Sequence, residues 1–309
     1  MGYLVVFKRL ESCVVNEKTN EVMFVAKRFN NMYGLTLDEL KNQNVACLHS
    51  KESEKWLWHK RLGHASMFQI NKLVKKELVR GLPLIKFDKD ITCDACQMGK
   101  QTKSSFKPKE DISTKRPLEL LHIDLFGPTR TQSLGGKHYG LVIVDDYTRF
   151  GWVLFLAHKN EVFSAFEPFC KKIQNEKDLK ISSIRSDHGT EFENNLFESF
   201  CEEFGISHNF SCPRTPQQNG VVERRNRSLQ EMTRAMLCES NVPKFLWAEA
   251  VNTACHILNR TIIRKFLKKT PYELWKGYPP NLDYLHIFGC KCFVLNNKEN
   301  LEKFDPKGL

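Results

Sequence analysis

No apolar run in these 309 residues approaches the roughly 18–20 that a membrane span needs. The opening Met1-Gly-Tyr-Leu-Val-Val-Phe7 is too short for a signal h-region and has no basic segment before it, so a secretory leader is not expected. Gly2 is followed by Val6 rather than Ser or Thr at position 6, and the myristoylation pattern fails too. Internal repeats and low-complexity tracts are missing. No Ser, Cys or His stands in an arrangement that would make it a nucleophile. Cysteines number eleven, but close pairing is scarce: only Cys93 and Cys96 form a C-x₂-C pair, and an odd total does not suit a disulfide framework. Cys170, Cys201, Cys238 and Cys255 lie in apolar-periodic segments, where a free thiol behaves as a small hydrophobe. The set reads as intracellular.

What is abundant is positive charge. Lys and Arg total 47 against 36 acidic residues, giving +11 and a pI near 9.1, a balance that points to a polyanionic partner. Apolar content of 41% and aromatic content of 11% are those of a globular chain. Residues 1–50 read as a short β-rich segment, 51–100 as a small cysteine–histidine unit, and 101–116 as a basic linker. The run from Lys100 to Arg116 holds six basic residues, Lys103 and Lys107 among them, against Glu110 and Asp111. From 117 to about 280 the pattern changes. Strands are predicted at 118–126, 139–144 and 151–156, then a helix at 160–176, a strand at 181–185, a helix at 195–204, a strand at 208–212 and a long helix at 221–239. Three strands in meander order followed by α-β-α-β-α is the order of the ribonuclease H-like fold, an α/β architecture with a mixed sheet flanked by helices. Residues 281–309 read as the start of a C-terminal extension, with Cys290 and Cys292 spaced for strand alternation.

Three carboxylates stand out: Asp124, Asp187 and Glu223, with 35 residues between the second and third. On the first strand, two-residue alternation puts Leu121, Ile123 and Leu125 on one face and His122 with Asp124 on the other. An Asp is disfavoured inside a strand, so it needs a reason. Asp187 follows a strand end, a place where ligand sites of open sheets gather. Glu223 is helical, with Arg227, Gln230 and Arg234 within about 40° of it on the wheel. Arg225 falls among the apolar positions and is unaccounted for. Hard divalent cations prefer oxygen ligands, which makes the three acids candidates for Mg²⁺ or Mn²⁺. Asp145 and Asp146 are rivals, but their position suits a hairpin turn. The stretch 215–220 (Thr-Pro-Gln-Gln-Asn-Gly) matches a capping box leading into the helix of Glu223.

His59, His64, Cys93 and Cys96 make a second set. Two imidazoles and two thiolates suit a closed tetrahedral structural zinc, and a unit of about 40 residues needs such a staple. Gly63 permits a tight turn between the histidines. Ser66 and Gln69 are spaced for a capping box that opens a helix with Phe68, Leu73 and Val74 on its apolar side.

Together, Leu121-His-Ile-Asp-Leu-Phe-Gly-Pro128, Arg185-Ser-Asp-His-Gly-Thr-Glu-Phe192, Asn219-Gly-Val-Val-Glu-Arg-Arg225 and Trp58-His-Lys-Arg-Leu-Gly-His64 closely resemble the integrase region of copia-type retrotransposon Pol polyproteins. The resemblance covers about residues 50–309. It implies a pre-integrase zinc region and a catalytic core in which Asp124, Asp187 and Glu223 hold a metal pair for 3′-end processing and DNA strand transfer. It also implies DNA ends and target DNA as partners, a homo-oligomer when active, and work in the nucleus after a cytoplasmic particle stage. Stretch 215–220 then resembles the loop that borders the integrase site. Candidate DNA contacts are Lys100, Lys103, Lys107, Gln218, Asn219, Arg224, Arg227, Arg264 and Lys268, since Arg260, Arg264 and Lys268 share i, i+4 spacing. Family members continue past Leu309, so a DNA-binding C-terminal portion is expected beyond this chain. No Asp-Ser/Thr-Gly protease signature is present, and Ile143-Val-Asp-Asp146 lacks the Tyr of a polymerase motif. The competing readings are a catalytically silent nucleic-acid-binding remnant and a ribonuclease H-type metal nuclease.

Overall fold

Short runs of Val, Phe and Tyr punctuated by polar turns build the first unit, residues 1–53. A computed structural model describes residues 3–8, 10–17, 19–29, 32–34, 54–84, 93–100, 114–211 and 219–292. Strands β1 (Tyr3–Phe7), β2 (Glu11–Asn16), β3 (Val22–Phe29) and β4 (Met32–Gly34) form an antiparallel meander in sequence order. The Lys8 N–H donates to the Glu11 carbonyl at 2.8 Å to close the first turn, and Asn20 takes φ 56° in the second. Cys13 and Ala26 are buried, whereas Leu4, Val5 and Phe7 of β1 stay exposed.

The second unit, residues 54–309, contains the rest. It begins with helices α1 (Glu54–Arg61), α2 (Met67–Lys75) and α3 (Asp94–Gly99). Strands β5 (Leu120–Phe126), β6 (Tyr139–Asp145), β7 (Gly151–Leu156), β8 (Ser183–Ser186) and β9 (Ser207–Phe210) make one sheet ordered β7-β6-β5-β8-β9. β5, β6 and β7 pair antiparallel, and β8 and β9 join in parallel. Counted from β5, that is 3-2-1-4-5, the ribonuclease H-like order. Helices α4 (Val162–Lys177), α5 (Asn195–Phe204), α6 (Gly220–Ser240), α7 (Trp247–Thr261) and α8 (Pro271–Lys276) complete it.

Strand alternation separates two cores. Leu121, Ile123, Leu141 and Ile143 pack with Phe166 and Ile173 of α4 and with Phe197 and Phe200 of α5. Val142 and Val144 point the other way, onto Val222, Leu229 and Met232 of α6 and Ala250, Ala254 and Leu258 of α7. Each fully buried Val, Leu or Ile contributes roughly 1.5–3 kcal/mol, and this pattern anchors β6 from both faces. The second cluster continues without a break into Trp58, Leu62, Met67 and Ile70, so α1 and α2 share the core that holds α6.

Four local expectations change. α2 buries Met67, Ile70 and Leu73, while Phe68 is exposed beneath Lys72, whose Nζ lies 4.1 Å from its ring centroid. Ser66 accepts from the Gln69 N–H at 3.2 Å, but the Gln69 side chain donates to the Thr261 carbonyl instead of completing the box. After Thr261 the chain leaves the helix: Ile262 is extended at ψ 144°, as suits the β-branched pair Ile262-Ile263. A tight turn then brings Arg264 and Lys269 together, with Lys268 at φ 51°. Arg260, Arg264 and Lys268 therefore share no helical face. Cys290 and Cys292 are exposed and belong to no strand.

Candidate active site and metal centre

Parallel pairing of β5 with β8 positions two of the three acids. The register runs Leu120↔Ser183, Leu121↔Ile184 and His122↔Arg185. Asp124 and Asp187 each lie two residues past the last of these pairs, and the charge of Asp187 acts on Asp124. Glu223 arrives from the first turn of α6, the helix lying over that face of the sheet. Burial, then the charge of Asp187, push the Asp124 carboxyl up to about 7, with Glu223 adding to the effect. The Asn226 side-chain amide donates to Asp124 Oδ2 and pulls the other way. Glu223 is raised by burial first; Arg224 and Arg227 oppose, and Asp187 adds repulsion. Asp187 Oδ1 accepts the Gly189 N–H at 3.2 Å. Ser186, buried beside it, shares its hydroxyl with the Asp187 carbonyl at 2.8 Å and His208 Nε2 at 2.9 Å.

The fold thus gathers an acid cluster that repels itself, the electrostatic setting a hard cation relieves. The three carboxylates are not drawn together as tightly as the His/Cys set described below, which is the one such metal-ready group among the described residues. Asn226 was not anticipated from the sequence. Its signal was the i, i+3 spacing from Glu223, which puts both on one side of the helix. Asp145 and Asp146 are structural. Asp145 caps the hairpin through the Thr148 N–H at 2.8 Å and hydroxyl at 2.6 Å and holds the Leu118 N–H at 2.8 Å. Asp146 takes Thr114, His122 and Arg149.

Of the basic candidates, Arg224 and Arg227 lie exposed one and four residues after Glu223, and Lys268 is exposed at its turn. Arg264 is half-buried. Asn219 caps α6 and is 4% exposed, with no partner for its Oδ1. Lys100 donates to the His64 carbonyl at 2.5 Å and so braces the His/Cys centre. Lys103, Lys107, Gln218 and the capping box at 215–218 lie outside the described residues.

His59 comes from α1, His64 from the turn after it, Cys93 from the N-cap of α3 and Cys96 from its first turns. Gly63 at φ 58° and His64 at φ 63° make that turn left-handed. All four ligand atoms lie within 4.8 Å of one another. Closest separations are 3.2 Å for His64 Nδ1 to His59 Nε2, 3.4 Å for Cys93 Sγ to His64 Nδ1 and 3.5 Å for Cys96 Sγ to His59 Nε2. A tetrahedral site with metal–nitrogen bonds near 2.0 Å and metal–sulfur bonds near 2.3 Å has edges of roughly 3.3–3.8 Å. His59 Nδ1 donates to the Ala65 carbonyl at 2.8 Å, which leaves Nε2 facing the centre. Burial lowers both imidazoles, His64 to about 4, and keeps them neutral, as ligands must be. Burial also lifts the Cys96 thiol to about 11, against the pull of Lys100. A bound cation would reverse that. The donor set fits a soft-to-borderline metal.

The centre sits on α6. A Cβ on Gly99 would meet the Ala235 backbone nitrogen at 2.7 Å, and one on Gly63 would meet Met232 Sδ at 2.9 Å. Lys60 pairs with Glu239 at 2.6 Å.

Comparison with known proteins agrees with this layout. The GAG-pre-integrase domain family matches residues 31–101, which include all four His/Cys ligands, and the integrase core domain family matches 114–216, which include Asp124 and Asp187. Glu223 lies just past that match. The Retrovirus-related Pol polyprotein from transposon TNT 1-94 of Nicotiana tabacum is 37% identical over 256 residues, 82% of this chain and 19% of that polyprotein. Its counterpart from transposon RE2 of Arabidopsis thaliana is 31% identical over 251 residues, 81% of this chain and 17% of the relative. The chain therefore spans about a fifth of the length of these relatives. Among solved structures, the HTLV-2 integrase catalytic core domain in complex with magnesium aligns at 22% identity and a TM-score of 0.40, over 52% of this chain and 97% of that one. The fold assignment rests instead on strand order and direction. This chain carries a GAG-pre-integrase domain followed by an integrase core domain and is a homologue of copia-type transposon Pol polyproteins.

Proposed function

We propose that the chain performs DNA integration, with metal-dependent 3′-end processing of an element end followed by strand transfer into target DNA. The observation that supports this is the mutual repulsion of Asp124, Asp187 and Glu223, brought together by β5, the end of β8 and the first turn of α6. Divalent metal held there would supply Lewis-acid polarisation of the scissile phosphate and a nucleophile at neutral pH. Asp124, Asp187 and Glu223 are its ligands in this reading. Asn226 orients Asp124 through its amide, and Arg227 offsets charge beside Glu223. Phosphoryl transfer needs positioning and electrostatic stabilisation more than covalent catalysis, which suits a site without a nucleophilic side chain. The His/Cys centre is read as structural zinc, because four protein ligands leave no open position. Element ends, target DNA and further copies of the chain are the proposed partners.

A labelled element-end duplex incubated with target DNA and Mg²⁺ tests this. Wild-type protein should yield joined product. Glu223→Gln should lose nearly all of it, by roughly 10³-fold or more, while keeping its fold, because ligands that act as a unit are strongly non-additive. Near-wild-type joining by Glu223→Gln would defeat the assignment.

A further inference from the structure

On the sheet face that carries α6, the β6–β7 hairpin, α6 and the segment after α7 enclose a cavity of about 240 Å³. Its walls include Arg149 from the hairpin, Arg224 and Arg225 from α6, and Arg264 and Lys265 from the turn segment. Val144, Val221, Ile262 and Phe266 supply apolar surface, and no carboxylate lines it. Pockets for whole drug-sized ligands run to roughly 300–1,000 Å³, so this volume suits a single group.

The cations are poorly neutralised. Arg149 spends one nitrogen on Asp146 at 2.5 Å. Arg225, 5% exposed, uses Asn259 and the Cys255 carbonyl, both neutral, and its Nε has no partner. Arg264 Nη2 reaches only the Asp146 main-chain oxygen, at 3.5 Å, and its Nε is also buried without a partner. Among the described residues, Arg224, Arg225, Arg264 and Lys265 make no ion pair. Burial and then the nearby charge of Arg149 lower Arg264 to about 10. Guanidiniums held against one another in a half-dry pocket are stabilised by an anion between them.

We propose that this pocket seats one phosphate group of bound DNA, at a position separate from the three carboxylates and shared by Arg224, Arg264 and Lys265. Guanidiniums match the tetrahedral oxyanion through paired N–H donors, and the apolar walls accept the sugar edge. The inference rests on the DNA-joining function above but concerns binding alone.

The test measures duplex binding by fluorescence anisotropy across a KCl series, without added divalent metal, so that loss of catalysis does not enter. Each phosphate neutralised contributes about 0.9 to the slope of log K against log salt. Arg264→Gln and Lys265→Gln should each lower that slope by about one, equally for two unrelated sequences. The double variant Arg224→Gln/Lys265→Gln should also lower it by about one, not two, because the lost cations serve one phosphate. It also covers the case in which Arg264→Gln fails to fold. Lys172→Gln, exposed on α4, should leave the slope unchanged. A two-unit fall in the double variant, or no fall in any pocket variant, overturns the shared seat. So does an equal fall for Lys172→Gln. Polyglutamate binding that drops in parallel with DNA binding would assign the pocket to acidic protein partners instead. Should wild-type protein not bind DNA at all, both this inference and the proposed function fall, whereas an unchanged slope in the pocket variants removes only the inference.

Discussion

Asp124 shows how one residue can carry the cost of a site. Its folded-state value near 7 lies above the ordinary carboxylate range, so the native protein holds a proton that the unfolded chain releases near pH 4. Stability from this group therefore falls as pH rises from about 4 towards 7, and the full penalty stands above 7. Asp124→Asn removes that penalty. Without divalent metal at pH 8, the variant should melt several degrees above wild type, and the gap should close below about pH 4. A thermal melt series across pH checks this, and equal melting temperatures at pH 8 would show that the carboxylate is not strained. Arg225 is the opposite case, a charge that stabilises from within. It covers Gly151, where an added Cβ would sit 2.8 Å from its Nε, and reaches Asn259, whose own amide donates to the Gly151 carbonyl at 2.8 Å. Arg225→Ala leaves a void and removes one of the two donors to Asn259 Oδ1. Its expected cost is about 2–4 kcal/mol in denaturant titration.

At the scale of elements, α6 does three jobs along its 21 residues. Its first turn bears Glu223, its apolar side closes the sheet through Val222 and Leu229, and its C-terminal half supports the His/Cys centre through Met232, Ala235 and Glu239. Stripping metal from the centre should therefore be felt beyond residues 54–100. Hydrogen exchange after chelation should show lost protection in α1 and α3 and in 232–240 of α6, while β5–β7 remain protected. Protection unchanged in 232–240 would mean that the centre and the helix are energetically separate.

At the scale of the molecule, each face of one five-stranded sheet has its own helical cover, and the two covers differ in purpose. α4 and α5, whose eight buried side chains are all Phe, Ile, Val or Cys and join the cluster of Leu121 and Ile143, form a plain core. The α6–α7 side carries the acids, the basic pocket and the His/Cys centre. A net charge of +11 on such an asymmetric body favours sequence-independent binding to a polyanion that weakens steeply with salt. Among the described residues, no helix is long and apolar enough to cross a membrane.

The sequence by itself determined the elements, because their signals are local. Alternation marked β5 to β7, and the 3.6-residue period marked α4 to α6. The order of those elements then pointed to the sheet. Asp124, Asp187 and the His/Cys ligands were legible for the same reason: an Asp inside a strand, an Asp at a strand end and a C-x₂-C pair are anomalies against their neighbours. Arg225 was also anomalous, but its meaning lay in Gly151 and Asn259, which only packing brings to it. Asn226 gave no anomaly at all, since a polar residue on a helix is ordinary until Asp124 is placed opposite. Phe68 was misassigned to the buried side because hydrophobicity does not say which side of a nine-residue helix meets a neighbour. The pocket of Arg149, Arg224 and Arg264 draws on three segments 75 and 40 residues apart in sequence, and only tertiary structure could assemble it, because charge proximity across such distances is set by the packing of the sheet and its helices and not by any local pattern.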